Sequence, residues 1–283
     1  MSQILLERAA GTDRAPKRAA TRFAETWLTV LLLALLVAAP ALFSRSVVND
    51  LGQAVCLGLF AISFNLLFKY SGLLSFGHAA FFGFAAYAEA LLLQTLPGVP
   101  VPLLVIGAGL SAAVLGLILG EICVRRSGAY FSMTTLTIGA LFYSVAFKWQ
   151  DVTGGTDGLD SFMPQNLLLL PRWSLDNPGT GQTYWLLMVI LVPVALATWA
   201  LLERTPWGNA VVAVRYNEKR AAFLGYDTHG VKLTNFVLSA GLAGVAGALW
   251  AIDNSFVSTD SIDLSFSTTV IIITFIGGSA WIW

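Results

Sequence analysis

The fold class this sequence predicts is an all-α integral membrane protein with about eight transmembrane helices, and three observations predict it. Of the 283 residues, 57% are hydrophobic and only 11% are charged. An ordinary soluble domain carries about 25% charged residues, so lipid must be the solvent for much of this surface. The apolar residues form continuous runs rather than the alternation of barrel strands, and only helices or closed barrels satisfy the backbone inside a bilayer. The basic residues fall on alternate connections along the chain.

The first 26 residues carry Arg8, Arg14, Lys17, Arg18 and Arg22 ahead of an apolar run that opens at Trp27. A signal peptide is the competing reading, with small residues at Ala38, Ala39 and Ala41. The charged lead is long and further spans follow, so a flexible cytoplasmic tail at 1–26 and a retained first span are expected. A crossing helix needs about 20 apolar residues. Candidate spans lie at 27–43, 51–68, 73–93, 101–123, 129–147, 184–202, 233–252 and 267–283.

Topology checks the spans. With the N-terminus inside, the inside segments hold Arg8, Arg14, Lys17, Arg18, Arg22, Lys69, Arg125, Arg126, Arg204, Arg215, Lys219, Arg220 and Lys232. The outside segments hold only Arg45, Lys148 and Arg172, which meets the positive-inside rule. Trp27, Trp149, Trp185 and Trp250 stand near expected span ends, where amphipathic rings favour the headgroup region. The expected membrane domain is 27–283, with an outer loop at 148–183 and an inner loop at 203–232.

Several chemistries have no footing. Net charge is zero, so global charge gives no argument for nucleic acid. Cys56 and Cys123 sit in apolar runs without metal-ligand spacing and read as small core hydrophobes. The two histidines form no metal motif, and no phosphate-binding GxxxxGK[ST] loop occurs. No cofactor or metal is expected, and if ATP drives this protein another chain must bind it.

The run from Tyr70 to Glu89 is unusual for a span. Gly72, Gly77 and Gly83 lower helix propensity, and Ser75 and His78 place polar groups near its start. A break near 72–77 frees backbone groups, which are tolerated at membrane depth only inside protein or along a wet cavity. Two readings stay open: close helix packing, or a solute pathway lined by Ser75, Phe76, Gly77 and His78. Glu89 is the deepest acid; it either snorkels to the outer interface, one turn away, or serves in transport. His78 lacks a clear acid partner, so a hydrogen-bonded histidine is favoured over a proton relay. Glu121 is expected to pair with Arg125 near the inner interface.

In the outer loop, Gly154, Gly155 and Gly158 permit positive φ, and Asp157-Gly158 is a strong turn. Gly154, Gly155, Thr156 and Asp157 are either a surface turn or a shaped gate. The inner loop opens at Thr205-Pro206, a good cap and first helical position. One helix is expected from there to about Phe223, with Gly225 as its stop. It is either a solvated basic loop or a helix that receives force from a separate motor. Farther on, Gly241, Gly244 and Ala248 put small residues on one helix face.

From about Leu51 onward the chain resembles the branched-chain amino acid importer permease family, in particular its LivM-like branch. Three pieces carry the resemblance. They are the glycine-rich run from Gly72 to Gly83; the run Gly128-Ala-Tyr-Phe-Ser-Met-Thr-Thr-Leu-Thr with Thr153-Gly-Gly-Thr-Asp-Gly-Leu; and the run from Arg215 to Gly225 with the small-residue stretch from Leu238 to Leu249. The resemblance implies an ABC importer permease in a bacterial inner membrane. It implies as partners a second, LivH-like permease, two cytoplasmic ATPase subunits and a periplasmic solute-binding protein. It also implies that Arg215, Glu218, Ala221, Ala222 and Gly225 belong to a loop that docks on the ATPase. The family continues past a glycine-rich turn into a Gly-Pro segment and another helix, whereas this chain stops at Trp283; a truncated C-terminus is therefore expected.

The function expected is alternating-access import of branched-chain amino acids with no chemistry on the solute. Urea, short amides and aromatic acids are the alternative solutes. An ion-coupled secondary transporter would need paired deep acids, and a membrane-embedded enzyme would need a nucleophile–base pair at one depth; neither pattern is evident.

Overall fold

The structure, a computed structural model, describes residues 39–40, 42–96, 99–160 and 180–277. The expected tail, nearly all of the span at 27–43, most of the outer loop and residues 278–283 lie outside the described residues. The chain forms two units, Met1–Val48 and Asn49–Trp283. In the first, residues 39–40 are helical and a helix opens at Arg45. The second holds the bundle.

Helix α1 (Arg45–Asn65) passes into a π turn over Leu66–Ser71. Gly72 stops it with φ 68° and an N–H that returns to Phe68 O, a left-handed stop that glycine adopts without strain. The chain has no helix over 72–77, and α2 (His78–Thr95) then begins. The span expected from residue 73 therefore starts late, because Gly72 to Gly77 break it. There follow α3 (Val101–Cys123), α4 (Ala129–Lys148), a single turn at Gln150–Thr153 and β1 (Leu159–Asp160). Beyond the undescribed stretch come α5 (Thr180–Arg204), α6 (Pro206–Tyr216), α7 (Glu218–Phe223) and α8 (Thr228–Asn254). The described chain closes with β2 (Phe256–Val257), a 3-10 turn (Thr259–Ile262) and α9 (Leu264–Ile276).

Helix α8 is the axis of the bundle and packs along α2 and α3. Small residues make that approach possible. A Cβ on Gly116 would stand 2.5 Å from Ala240 Cβ, and one on Gly244 would meet Ala112 of α3. Gly241 faces Ala113, so the small residues expected at Gly241 and Gly244 do serve close packing. The opposite face of α3 shows Leu103, Ile106, Leu110, Val114, Leu117 and Ile118 as one exposed apolar stripe.

Four helices among the described residues are long and apolar enough to cross a membrane: Ser46–Ser71, Val101–Cys123, Ala129–Lys148 and Thr228–Asn254. Leu186–Leu202 with Pro206–Tyr216, bent by 67°, is a further candidate span. Helix α2 is not among the four, because His78, Glu89 and Gln94 dilute its apolar sequence. It is enclosed by protein on most sides, as a core helix is. Glu89 is fully buried there, so it does not snorkel. Helix α9 has 13 residues, about 20 Å at 1.5 Å per residue, short of the roughly 30 Å core.

At one end of the bundle the connections interlock. β1 pairs antiparallel with β2, Leu159 opposite Val257 and Asp160 opposite Phe256. Gln94 at the end of α2 donates to Asp160 O at 3.2 Å. Gly154, Gly155 and Gly158 take φ of 70°, 59° and 69°, the left-handed turn geometry their residue type allows.

Candidate functional site

Apart from Gly72, which is exposed, the break at 72–77 lies largely inside the protein. Leu73, Ser75 and Gly77 are buried, and Leu74 and Phe76 are half-buried. Backbone groups released there need partners, since water is scarce at this depth. Helix α4 supplies two: Ser132 Oγ donates to Leu74 O at 2.7 Å, and Phe76 N donates to Thr135 Oγ1 at 3.2 Å. Helix α9 supplies a third, with Ala79 N donating to Ser267 Oγ at 2.9 Å. The crossing with α4 is a backbone contact. A Cβ on Gly77 would collide with Thr135 O, and one on Gly139 would lie 3.0 Å from Gly77 Cα. Close backbone packing is thus present at Gly77.

His78 begins α2 and is fully buried. Its ring stacks on Phe60 at 5.4 Å and meets Phe64 edge-on at 5.9 Å. Its Nε2 lies 3.0 Å from Ser63 Oγ and 3.4 Å from Ser239 Oγ. Ser63 already donates its proton to Phe60 O, and Ser239 donates to Ser63 O. Both hydroxyl oxygens are therefore acceptors toward the ring, and the hydrogen count assigns the proton to Nε2. Nδ1 is left as an acceptor, and it has no hydrogen-bond partner among the described residues. The same holds for Ser75 Oγ, three residues earlier. Two orphaned polar atoms thus flank the N-terminus of α2, where buried polar groups normally find partners.

The predicted outer residues form a separate cluster. Thr153 Oγ1 donates to Ala146 O at 2.5 Å and accepts from Gly155 N at 3.3 Å. Gly155 is buried and Gly154 half-buried, while Thr156 and Asp157 are exposed. Among the described residues no hydrogen bond joins this turn to Ser75 or His78; it rests against the strand that follows α8, where a Cβ on Gly158 would meet Val257 O at 2.5 Å.

In the loop expected inside, the single helix expected over 206–223 is two helices. Asn217 has extended backbone, φ −159°, and its Oδ1 caps α7 by accepting from Arg220 N at 3.0 Å. Thr205 does not cap α6; its hydroxyl donates back to Leu201 O. Gly225, φ 89°, ends α7 as expected, with Tyr226 N reaching Ala221 O at 3.1 Å. Arg215 and Glu218 both turn to the chain's own groups. Arg215 Nη1 donates to Lys69 O, and its Cγ would lie 3.4 Å from a Cβ on Gly72. Glu218 Oε2 pairs with Lys232 Nζ at 2.5 Å. Ala221 is buried, whereas Ala222 and Gly225 are exposed beside Tyr216, Phe223 and Leu224, which are 85%, 92% and 72% exposed. Nearby, Glu121 pairs with Arg125 at 2.6 Å as expected and also meets His229 at 3.1 Å.

Sequence reasoning missed the residues that join these regions. Lys232, Asn235 and Ser239 are buried on α8. The signal was available: polar residues at i, i+3 and i+7 in an apolar run share one face.

The family described as "Branched-chain amino acid transport system / permease component" matches residues 46–282. The "High-affinity branched-chain amino acid transport system permease protein LivM" of Escherichia coli (strain K12) is 30% identical over 271 residues, covering 88% of this chain and 62% of that protein. The protein of the same description from Salmonella typhimurium is 29% identical over 264 residues, covering 87% of this chain and 62% of its own length. The chain thus spans 62% of the length of these curated relatives. No solved structure matches it.

Proposed function

Since this chain belongs to the branched-chain amino acid transport permease family, matched over residues 46–282, we propose that it is the membrane permease subunit of an ATP-driven importer for branched-chain amino acids. It works by alternating access: two states of the bundle expose the path to opposite sides, and partners drive the change only by binding the two states unequally. The observation that carries this reading is the largely buried break at 72–77 with two orphaned polar atoms, Ser75 Oγ within it and His78 Nδ1 at the start of α2. Non-helical backbone at membrane depth belongs in protein or along a cavity, and broken helices build solute sites in transporters. Phe76 and Gly77 complete the inner path, and the turn at Gly154, Gly155, Thr156 and Asp157 is an outer gate.

The partners follow from the same reading. A second, related permease completes the path, a periplasmic binding protein delivers solute, and two ATPase subunits meet the inner face in the bacterial inner membrane. The ATPase contact is α6–α7, with Tyr216, Phe223 and Leu224 as its apolar knobs and Ala222 and Gly225 beside them. Arg215, Glu218 and Ala221 hold that pair in shape. The N-terminus is cytoplasmic in this arrangement, and hydrolysis takes place on the partner chains.

Uptake of radiolabelled leucine into proteoliposomes holding the assembled complex tests the reading. Uptake is expected with Mg-ATP on the ATPase side and binding protein on the other, and competition by valine and isoleucine is expected. Uptake that needs an ion gradient and ignores ATP overturns it. Competition by urea or acetamide alone would replace the solute class.

A further inference from the structure

Lys232, Asn235 and Ser239 stand at i, i+3 and i+7 of α8 and are 7%, 0% and 0% exposed. Each reaches a different part of the chain. Lys232 Nζ binds Glu218 Oε2 in the first turn of α7, at 2.5 Å. Asn235 Nδ2 donates to Leu66 O at 2.8 Å and to Ser71 Oγ at 2.5 Å, the two ends of the π turn. Ser239 Oγ donates to Ser63 O at 2.6 Å and lies against His78. Seven residues of helix, about 10 Å, therefore connect the cytoplasmic helix pair to the start of the break. Arg215 adds a second tie from α6, to Lys69 O and the space beside Gly72.

These contacts are specific in register. In an apolar surrounding, a polar side chain cannot slide to a new position without losing its partner. The π turn they hold is a rare geometry that concentrates at functional positions. We propose that Lys232 and Asn235 are positioning residues: they carry a displacement of α6–α7 through one face of α8 to the π turn and so to the break at 72–77. This rests on the reading of α6–α7 as the face that meets the ATPase subunits.

Hydrogen–deuterium exchange on the assembled complex tests it, with Mg-ATP plus vanadate as the probe. In the wild type, nucleotide is expected to change exchange in peptides covering 206–226 and in peptides covering 66–80. In Lys232→Met and in Asn235→Leu, the response at 206–226 persists and the response at 66–80 is lost. The double exchange Glu218→Lys with Lys232→Glu restores it. Should Asn235→Leu not assemble, Ser71→Ala removes one acceptor of the same amide and is expected to weaken the same response. A merely structural role would shift resting exchange in both peptides and leave the nucleotide response at 66–80 in place; that result overturns the proposal. If the wild type shows no response at 206–226, the ATPase-facing reading of α6–α7 fails first and the ladder fails with it.

Discussion

Gly77→Ala isolates the crossing between the break and α4. Gly77 has φ −98° and ψ 23°, which any L residue tolerates, so the methyl group acts by volume alone. It would collide with Thr135 O, with Thr135 C at 2.8 Å and Gly139 N at 3.2 Å. These are backbone atoms and cannot swing aside as a flexible side chain would. Overpacking costs about 1–3 kcal/mol. Parting the two segments also endangers the Ser132–Leu74 and Phe76–Thr135 hydrogen bonds, at about 1 kcal/mol each. The expected loss is about 3–5 kcal/mol. Gly58→Ala is the internal control: it lies within α1 with nothing within 4 Å of an added Cβ. It should be neutral or gain up to about 1 kcal/mol from helix propensity. Both variants are compared by SDS titration in mixed micelles, with helix content followed by circular dichroism. Equal unfolding midpoints for the two would refute the backbone crossing.

Three further outcomes are expected. The Asp263 carboxylate accepts from Ser265 Oγ and N at 2.5 and 3.3 Å, which holds it below the usual carboxylate range. A depressed folded value means the stabilisation is complete above the unfolded value near 4 and is lost as pH falls through the folded value. Asp263→Ala should thus cost about 1 kcal/mol at neutral pH, and the gap to wild type should close on acidification; a gap that ignores pH refutes the cap. Phe223→Asp with Leu224→Asp should abolish co-purification of the ATPase subunits while leaving the chain in the membrane fraction, because both side chains are exposed and make no interior contact to lose. Cys56 and Cys123 are free and 0% exposed, so a polar maleimide should label them only after denaturation.

The elements with long apolar runs were legible, because lipid leaves their periodicity uncontested. α3 matches its expected bounds at Val101–Cys123, and α4 lies within a residue of its own. The break was legible from Gly72 and Gly77, which lower helix propensity within an otherwise apolar run. Two features missed are local: Asn217 caps α7 at Arg220 N, three residues on, and splits one helix into two, and Thr205 turns its hydroxyl back four residues to Leu201. The others depend on partners distant along the chain. Arg215 and Glu218 look solvated when read as a basic loop. Their partners, Lys69 O and Lys232, come from other elements. The polar face of α8 was spaced for discovery, yet Lys232 counted only as an inside charge.

The energetics of that face favour a lever over a rivet. Interhelical hydrogen bonds in membranes are worth about 0.6 kcal/mol on average and about 1–2 in model peptides. The three that Asn235 and Ser239 donate therefore total about 2–6 kcal/mol. Moving a two-state equilibrium from 1:99 to 99:1 takes about 5.5 kcal/mol. Such bonds are strong enough to bias two arrangements of the π turn and weak enough to be exchanged in each cycle. The Lys232 end gives the lever its direction. Glu218 is half exposed and can leave toward water, whereas the Lys232 side chain is only 9% exposed. An ammonium stripped of its counter-charge there must follow the carboxylate or find another partner, and following it pulls on α8. On the proposed reading, a pull on α7 would reach Asn235 through the three residues of α8 that separate it from Lys232.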